Sequence, residues 1–170
     1  MVREFITSHL RPLAIGAITL TVLIVGLAIG LLIHFHSVKP VAPIIENPGY
    51  QTILPSGKTI EQLGGWVKIS PPESTPVYAY ADKIGSVTIS VSEQTLPDSF
   101  KGDVDGSVAT LAKSYSATDN QTAGNTKVYI GTNADGPQSV IFAKSNLLVL
   151  IKSQKKIDDK AWVAYINSLN

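Results

Sequence analysis

The chain has 170 residues, with 14 Lys plus Arg against 13 Asp plus Glu and no cysteine. This balance lacks the basic excess typical of nucleic-acid binders, and we expect no nucleic acid among its partners. The absence of cysteine excludes thiol catalysis, disulfides and cysteine-ligated zinc. All three histidines (His9, His34 and His36) precede residue 37, so the rest of the chain has no imidazole for general-base or metal chemistry. We therefore expect neither a metal nor a cofactor.

Residues 13–33 form an uncharged run of 21 residues, 13 of which are Leu, Ile or Val. As a helix this run would span about 32 Å, which matches the ~30 Å hydrocarbon core of a bilayer. It exceeds the apolar stretch of a cleaved signal peptide, usually about 7–15 residues, and no small-residue cleavage site follows it. The pattern predicts a single transmembrane helix in the lipid bilayer, retained as a signal anchor.

The charges that flank this run predict its orientation. Residues 1–12 form a short leader with Arg3 and Arg11 against Glu4, whereas Lys39 is the one basic residue soon after the run. Basic residues favour the cytoplasmic side of a membrane helix. We expect a single-pass protein of the cell membrane, with a cytoplasmic amino terminus and the domain after residue 33 outside.

Gly26 and Gly30 lie four residues apart inside the predicted helix. This GxxxG spacing lets two membrane helices approach closely, so it predicts a helix-packing site and allows a homodimer. The alternative is that the pair has no such role, because glycine is common in membrane helices.

Residues 34–57 are predicted to be a proline-rich linker, since they contain Pro40, Pro43, Pro48 and Pro55. Proline fixes φ and restricts the preceding residue to extended conformations, which makes such a segment a semi-rigid spacer. Its second half also carries Tyr50, Ile53 and Leu54. We expect that half to pack on the domain.

Residues 58–170 predict one extracytoplasmic α+β domain that folds without metal. We expect a small antiparallel sheet of about five to six strands, with one helix in the middle and a C-terminal helix packed on the sheet. The predicted strands are 66–70, 76–81, 86–92, 126–132, 137–144 and 147–153. Residues 82–85 are the predicted hairpin turn, and residues 118–125 are a predicted polar loop.

Two further patterns complete the fold prediction. Residues 147–151 are apolar on both faces, as in a central strand that is covered on both sides. After Asp158, a candidate N-cap, the apolar residues recur at helical spacing. These residues are Ala161, Trp162, Tyr165, Ile166 and Leu169.

Two parts of the sequence resemble known but uncharacterised bacterial proteins. Leu54-Pro55-Ser56-Gly57-Lys58, followed by Leu63-Gly64-Gly65-Trp66 and Ser70-Pro71-Pro72, resembles a family of single-pass membrane-anchored proteins of very small candidate-phyla bacteria. Residues 128–169 resemble an extracytoplasmic domain of unknown function that occurs in anti-sigma-factor-like bacterial proteins. The resemblance implies a small antiparallel sheet with a helix on one face, and it implies no catalytic residues. The twelve residues before the anchor are too few for a sigma-binding domain.

Trp66, Tyr78 and Tyr80 are the candidate ligand-binding residues. Aromatic side chains with a polar tip are enriched at recognition surfaces. The alternative is that these rings cover one face of the sheet beneath the linker or the middle helix.

The favoured function is a non-enzymatic binding or interaction module of unknown ligand, with a protein or a cell-envelope component as partner. One alternative is a structural subunit of envelope assembly. Another is an enzyme that acts on envelope polymers through carboxylates, for which a buried carboxylate with a raised pKa in a cleft would be the sign. The available acids are Asp82, Glu93, Asp98, Asp103 and Asp105.

Overall fold

The computed structural model describes residues 47–170. The predicted leader, the predicted membrane helix with Gly26 and Gly30, and the first part of the linker lie outside the described residues. Within 47–170, no helix combines the length and the apolar character needed to cross a membrane.

Seven antiparallel strands form one sheet in the order β1-β2-β3-β7-β6-β5-β4. A 3₁₀ turn at Asp98–Phe100 precedes helix α1, Val104–Ser114, and helix α2, Asp159–Ser168, closes the domain. The strands are β1 Val67–Lys68, β2 Tyr78–Ile84, β3 Val87–Thr95, β4 Asp119–Ala123, β5 Thr126–Thr132, β6 Gln138–Lys144 and β7 Leu147–Ser153.

This architecture confirms the α+β prediction and the central position of residues 147–151. Strand β7 is the middle strand of the sheet, and none of its residues 147–151 is more than 8% exposed. The sheet has seven strands rather than five or six, because residues 119–123 form strand β4 and not a loop. Strand β4 pairs with β5 alone, so it lies at an edge where polar side chains are tolerated without alternation.

The first hairpin turns later than predicted. Ile84 pairs with Val87, which leaves Gly85 and Ser86 as a two-residue connection. Gly85 has φ +60°, a conformation that glycine adopts without steric cost. Asp82 and Lys83 therefore lie within strand β2 rather than in the turn.

Helix α2 packs on one face of the sheet, which we call the core face. The helix buries Trp162 and Ile166 there, and its C-cap, Leu169, is buried as well. They belong to the same core as Val149 and Phe142 of the central strands. The predicted packing of the closing helix on the sheet is confirmed.

Helix α1 lies on the opposite face, over β5 and β6. Its C-terminal exit crosses β5 at Gly131, where a Cβ atom would lie 2.8 Å from the carbonyl oxygen of Ser116 and 2.9 Å from Cα of Ala117. A residue without a side chain is required for this close approach of the two backbones.

The second half of the predicted linker is part of the domain. Residues 50–56, which we call the strap, run antiparallel to the end of α2: Leu54 and Asn170 exchange two backbone hydrogen bonds of 3.0 Å. The Ser56 N–H donates to the carbonyl oxygen of Ser168, and Pro55 pairs with Leu169. Ile53 is 1% exposed, so the strap contributes to the core as well as to the surface.

Candidate functional site

The three aromatic residues proposed as a ligand-binding surface are buried. Trp66 and Tyr80 are 3% exposed and Tyr78 is 4% exposed. The indole of Trp66 meets Tyr80 and Tyr78 edge to face, with ring centroids 5.1 Å and 6.4 Å apart. The strap lies beside them, since the Tyr50 ring is 5.9 Å from that of Tyr78. These rings cover the core face beneath the linker, as the alternative interpretation holds, and in this structure they do not reach the surface.

Glu93 also lies on the core face. Along β3 the side chains alternate between faces, so that Ile89, Val91 and Glu93 point the same way. Its residue exposure is 0%. The Ile53 N–H of the strap donates to Oε2 of Glu93 at 3.2 Å, whereas Oε1 has no hydrogen-bond partner among the described residues. The Tyr50 hydroxyl donates to the backbone carbonyl oxygen of Glu93 at 2.6 Å.

Burial controls the protonation of this carboxyl. It raises the pKa of Glu93 from 4.5 to about 8, and the hydrogen bond from Ile53 opposes that rise only in part. Burial also raises the pKa values of Tyr50 and Tyr80 above the ordinary tyrosine range. The nearby Glu93 carboxyl is the second cause of this rise. At neutral pH the group is therefore mostly a neutral carboxylic acid beside neutral phenols.

Asp82 is the second carboxyl on the core face, and it is 8% exposed. Lys58 Nζ lies 2.5 Å from its Oδ1, and the Tyr165 hydroxyl of α2 donates to its Oδ2 at 3.1 Å. Burial raises the pKa of Tyr165, which keeps the phenol protonated as a donor. Through this cluster Lys58, two residues after the strap, and Tyr165 of helix α2 are both joined to strand β2.

Glu93 and Asp82 are not arranged as a catalytic pair. Glu93 pairs with Tyr78, and Asp82 lies four residues farther along β2. At about 3.3 Å per residue the two positions are about 13 Å apart along the strands. Tyr80 lies between them on the same face.

The other candidate acids have local structural roles. Asp98 is exposed and lies 2.6 Å from Lys101 Nζ, and this contact lowers the pKa of its carboxyl. Asp103 is the N-cap of α1 and accepts a hydrogen bond of 2.9 Å from the Gly106 N–H, while Asp105 lies in the first helical turn. Carboxylates at these positions are favoured by the helix dipole. Within residues 47–170, no three His, Cys, Asp or Glu side chains are grouped so that they could hold a metal ion.

The face opposite the core face is only partly covered. Of the strands, α1 contacts β5 and β6, and no described helix packs on this side of β2 and β3. Ala81, Ser90, Lys152 and Ser139 stand in register across four neighbouring strands there. We call this surface the open sheet face; it consists of Ala81, Lys83, Thr88, Ser90, Lys152 and Ser139.

One side of the open sheet face is bounded by the end of α1. Lys152 Nζ lies 5.8 Å from the centroid of the Tyr115 ring, within the range of a cation–π contact. Burial lowers the pKa of Lys152 and raises that of Tyr115, so both groups are partly desolvated. Ala81 and Lys83 are exposed, and Thr88, Ser90 and Ser139 are half-buried. The result is a polar surface with hydroxyl donors, two ammonium groups and an aromatic wall.

Sequence reasoning missed both the burial of Glu93 and the open sheet face. The alternation of Val87, Ile89 and Val91 extends to Glu93 and is the signal that places this acid on the apolar face. The open sheet face depends on strand register and on where α1 lies, and neither is encoded in a local pattern.

No protein-family model, curated protein or solved structure matches the chain.

Proposed function

We propose that this chain is a membrane-anchored extracytoplasmic binding module, without catalytic activity, that uses the open sheet face to contact its partner. The observation that carries the proposal is the row of Ala81, Ser90, Lys152 and Ser139 beside Tyr115, left uncovered by the described helices. Three of the four side chains on this row, those of Ala81, Ser90 and Ser139, are small, so a partner can approach the strands closely there.

The chemistry of the open sheet face favours a partner with anionic or hydroxyl-rich groups. The ammonium group of Lys152 on β7 is partly desolvated, and Lys83 on β2 adds a second positive charge to the open sheet face. Carboxylate or phosphate oxygens of a partner would pair with these ammonium groups, while serine and threonine hydroxyls supply neutral hydrogen bonds. An envelope protein or envelope polymer with such groups is the partner that we propose.

The enzymatic alternative is weaker on geometric grounds. Glu93 has the raised pKa of a general acid, but it is 0% exposed beneath the strap. Glycosidases usually hold two carboxyls about 5–9.5 Å apart around the bond that is cleaved. The next acid on the core face, Asp82, is roughly 13 Å away along the strands and is already paired with Lys58.

The anchoring part of the proposal rests on the uncharged run 13–33 and on Arg3 and Arg11 before it. Protease added to intact, wall-stripped cells should digest the domain after residue 33. Protection of the domain until the cells are lysed would contradict the proposed orientation.

The binding part is tested by photo-crosslinking in cells that produce the full chain. A photoreactive residue at Ser90 lies on the open sheet face, and a matched one at the exposed Lys160 lies on α2, across the sheet. We expect a discrete adduct from position 90 and none from position 160. Equal capture from both positions, or none from position 90, would refute the open sheet face as the binding surface. An adduct between two copies of the chain would favour the structural-subunit alternative.

A further inference from the structure

The strap covers a buried acid that has almost no other polar support. Glu93 is fully buried, and a single N–H, that of Ile53, donates to its carboxyl group. Its Oε1 has no hydrogen-bond partner among the described residues, and none of the salt bridges within residues 47–170 involves Glu93. A carboxylate at this position would be a charge in an apolar site with one donor, an arrangement that is costly.

The titratable groups that face Glu93 do not compensate such a charge. Tyr50 approaches from the strap, and its hydroxyl is already used by the backbone carbonyl of Glu93. Tyr78 faces it from β2 and Tyr80 lies next along that strand, while β7 presents the apolar Val149. Three described lysines lie on this side: Lys68 stands in the row of Tyr78 on β1, Lys144 donates to the carbonyl oxygen of Ile166, and Lys58 is bound to Asp82. None of the described salt bridges joins a lysine to Glu93, so a charge on its carboxyl would have to be stabilised by water.

Among the elements around Glu93, the strap is the one held by the fewest hydrogen bonds. On both sides of Glu93 the neighbouring strands β2 and β7 are held by ladders of seven residue pairs each. The strap is held by three backbone hydrogen bonds to residues 168–170 and by two hydrogen bonds to Glu93. Opening the strap would admit water to Glu93 without disturbing the sheet.

We infer that the strap is a proton-dependent latch: protonated Glu93 keeps residues 50–56 closed over the sheet, and loss of its proton to solvent favours the open strap. Opening removes Tyr50 and Ile53 from the core face and uncovers Tyr78 and Trp66. The latch therefore couples pH to exposure of the aromatic residues and to the place where the preceding chain leaves the domain. It acts on the core face and does not depend on what binds the open sheet face.

The linkage has a defined sign and pH window. The pKa of Glu93 is raised to about 8 in the closed state, and water would return it toward 4.5 in the open state. The closed strap is therefore favoured most at acidic pH and loses stability as the pH rises to about 8. Within this window the opening constant should increase about tenfold per pH unit and then level off.

Hydrogen exchange of the full-length protein, followed by mass spectrometry between pH 5 and 9.5, tests the latch. Rates are corrected for intrinsic base catalysis, and strand β6 serves as the internal reference for the intact fold. Protection of residues 50–56 should fall about tenfold per pH unit up to about pH 8, and at every pH it should stay below that of β6, which exchanges only by global unfolding. Unchanged strap protection in the wild-type protein, or strap protection equal to that of β6 at every pH, would overturn the proposal.

Two variants separate the proton from the contact. Glu93→Gln keeps an acceptor for the Ile53 N–H but cannot ionise, so its strap protection should be independent of pH. Tyr50→Phe removes the hydrogen bond to the Glu93 carbonyl and should speed exchange by the same factor at every pH, with the wild-type slope. A Glu93→Gln variant that keeps the wild-type slope would refute Glu93 as the titrating group. If Glu93→Gln fails to fold, the wild-type and Tyr50→Phe profiles still decide the proposal, because a flat profile in both contradicts it.

Discussion

The Ile53 N–H donates a hydrogen bond to Oε2 of Glu93 at 3.2 Å, across 40 positions of sequence. This contact joins the end of the predicted linker to the middle of the domain. It satisfies one oxygen of a carboxyl that burial keeps mostly neutral at pH 7. The strap is thus part of the fold and of its protonation chemistry.

The domain should need the strap for its stability. We expect residues 47–170 to unfold cooperatively, and residues 58–170 to be less stable by about 3 kcal/mol or more, because fully buried Ile53 is lost. The shorter chain should also lose most of its pH dependence, since Glu93 is then open to water. Denaturant melts of the two chains at pH 5 and pH 8 measure both effects. Equal stability would show that the strap only rests on the surface.

Stability of residues 47–170 should fall as the pH rises from about 5 to about 8. The pKa of Glu93 is raised from 4.5 to about 8, so the native state holds a proton that the unfolded chain releases. The shift corresponds to at most about 5 kcal/mol, fully present below pH 4.5 and lost above pH 8. Glu93→Gln should flatten this slope in denaturant melts across the range. A wild-type protein that becomes more stable between pH 5 and pH 8 would contradict the sign.

Trp162 should be the most costly truncation in α2. It is 0% exposed, and its indole N–H donates to Oε1 of Gln138 at 2.9 Å, an atom that also accepts from the Ile157 N–H. We expect Trp162→Ala to cost about 3–5 kcal/mol, from lost burial and the cavity left behind. Exposed Lys160 on the same helix is the control, and Lys160→Ala should cost under about 0.5 kcal/mol. Equally mild effects in denaturant melts would mean that α2 does not pack on the sheet.

Gly131→Ala should destabilise the domain although it adds only one methyl group. Its Cβ would lie 2.8 Å from the Ser116 carbonyl oxygen, which belongs to the backbone and cannot rotate away. Overpacking of this kind costs about 1–3 kcal/mol. Gly102 is the matched control, because a Cβ there meets nothing within 4 Å and its φ is not positive. Thermal melts that rank Gly102→Ala as the worse change would contradict the close crossing of α1 over β5.

Local patterns predict the strands whose apolar residues alternate or form a continuous run. They also predict the closing helix. The run 147–151 is apolar on both faces, and only a central strand that is covered on both sides buries both of them. Strand β4 has no local apolar pattern that predicts it, because it is a polar edge strand held by hydrogen bonds to β5 alone. The predicted turn is too early because Asp82 is a turn-forming residue type, whereas Gly85 supplies the positive φ that the turn requires.

The candidate site was harder to predict because it depends on contacts distant in sequence. In sequence Tyr78 and Tyr80 suit a recognition surface, but the strap, about 22–30 residues earlier in the chain, lies beside them and covers them. The composition of the strap predicted that it packs, but not what it packs on. Glu93 follows an apolar alternation, yet an acid is usually assigned to the wet side, and only the tertiary structure shows how it is accommodated.

A direct titration of the Glu93 carboxyl tests the central claim that a neutral acid lies beneath the strap. The carboxyl carbon of Glu93 is followed by NMR in the folded protein from pH 4 to pH 10, with Glu93→Gln used to assign its resonance. The structure predicts a midpoint near 8 for this group, whereas the carboxyl of exposed Glu61, whose pKa is lowered, should change little above pH 5 and serves as the internal comparison. A midpoint near the ordinary 4.5 would show that Glu93 is open to water or paired, and it would contradict the account of the strap.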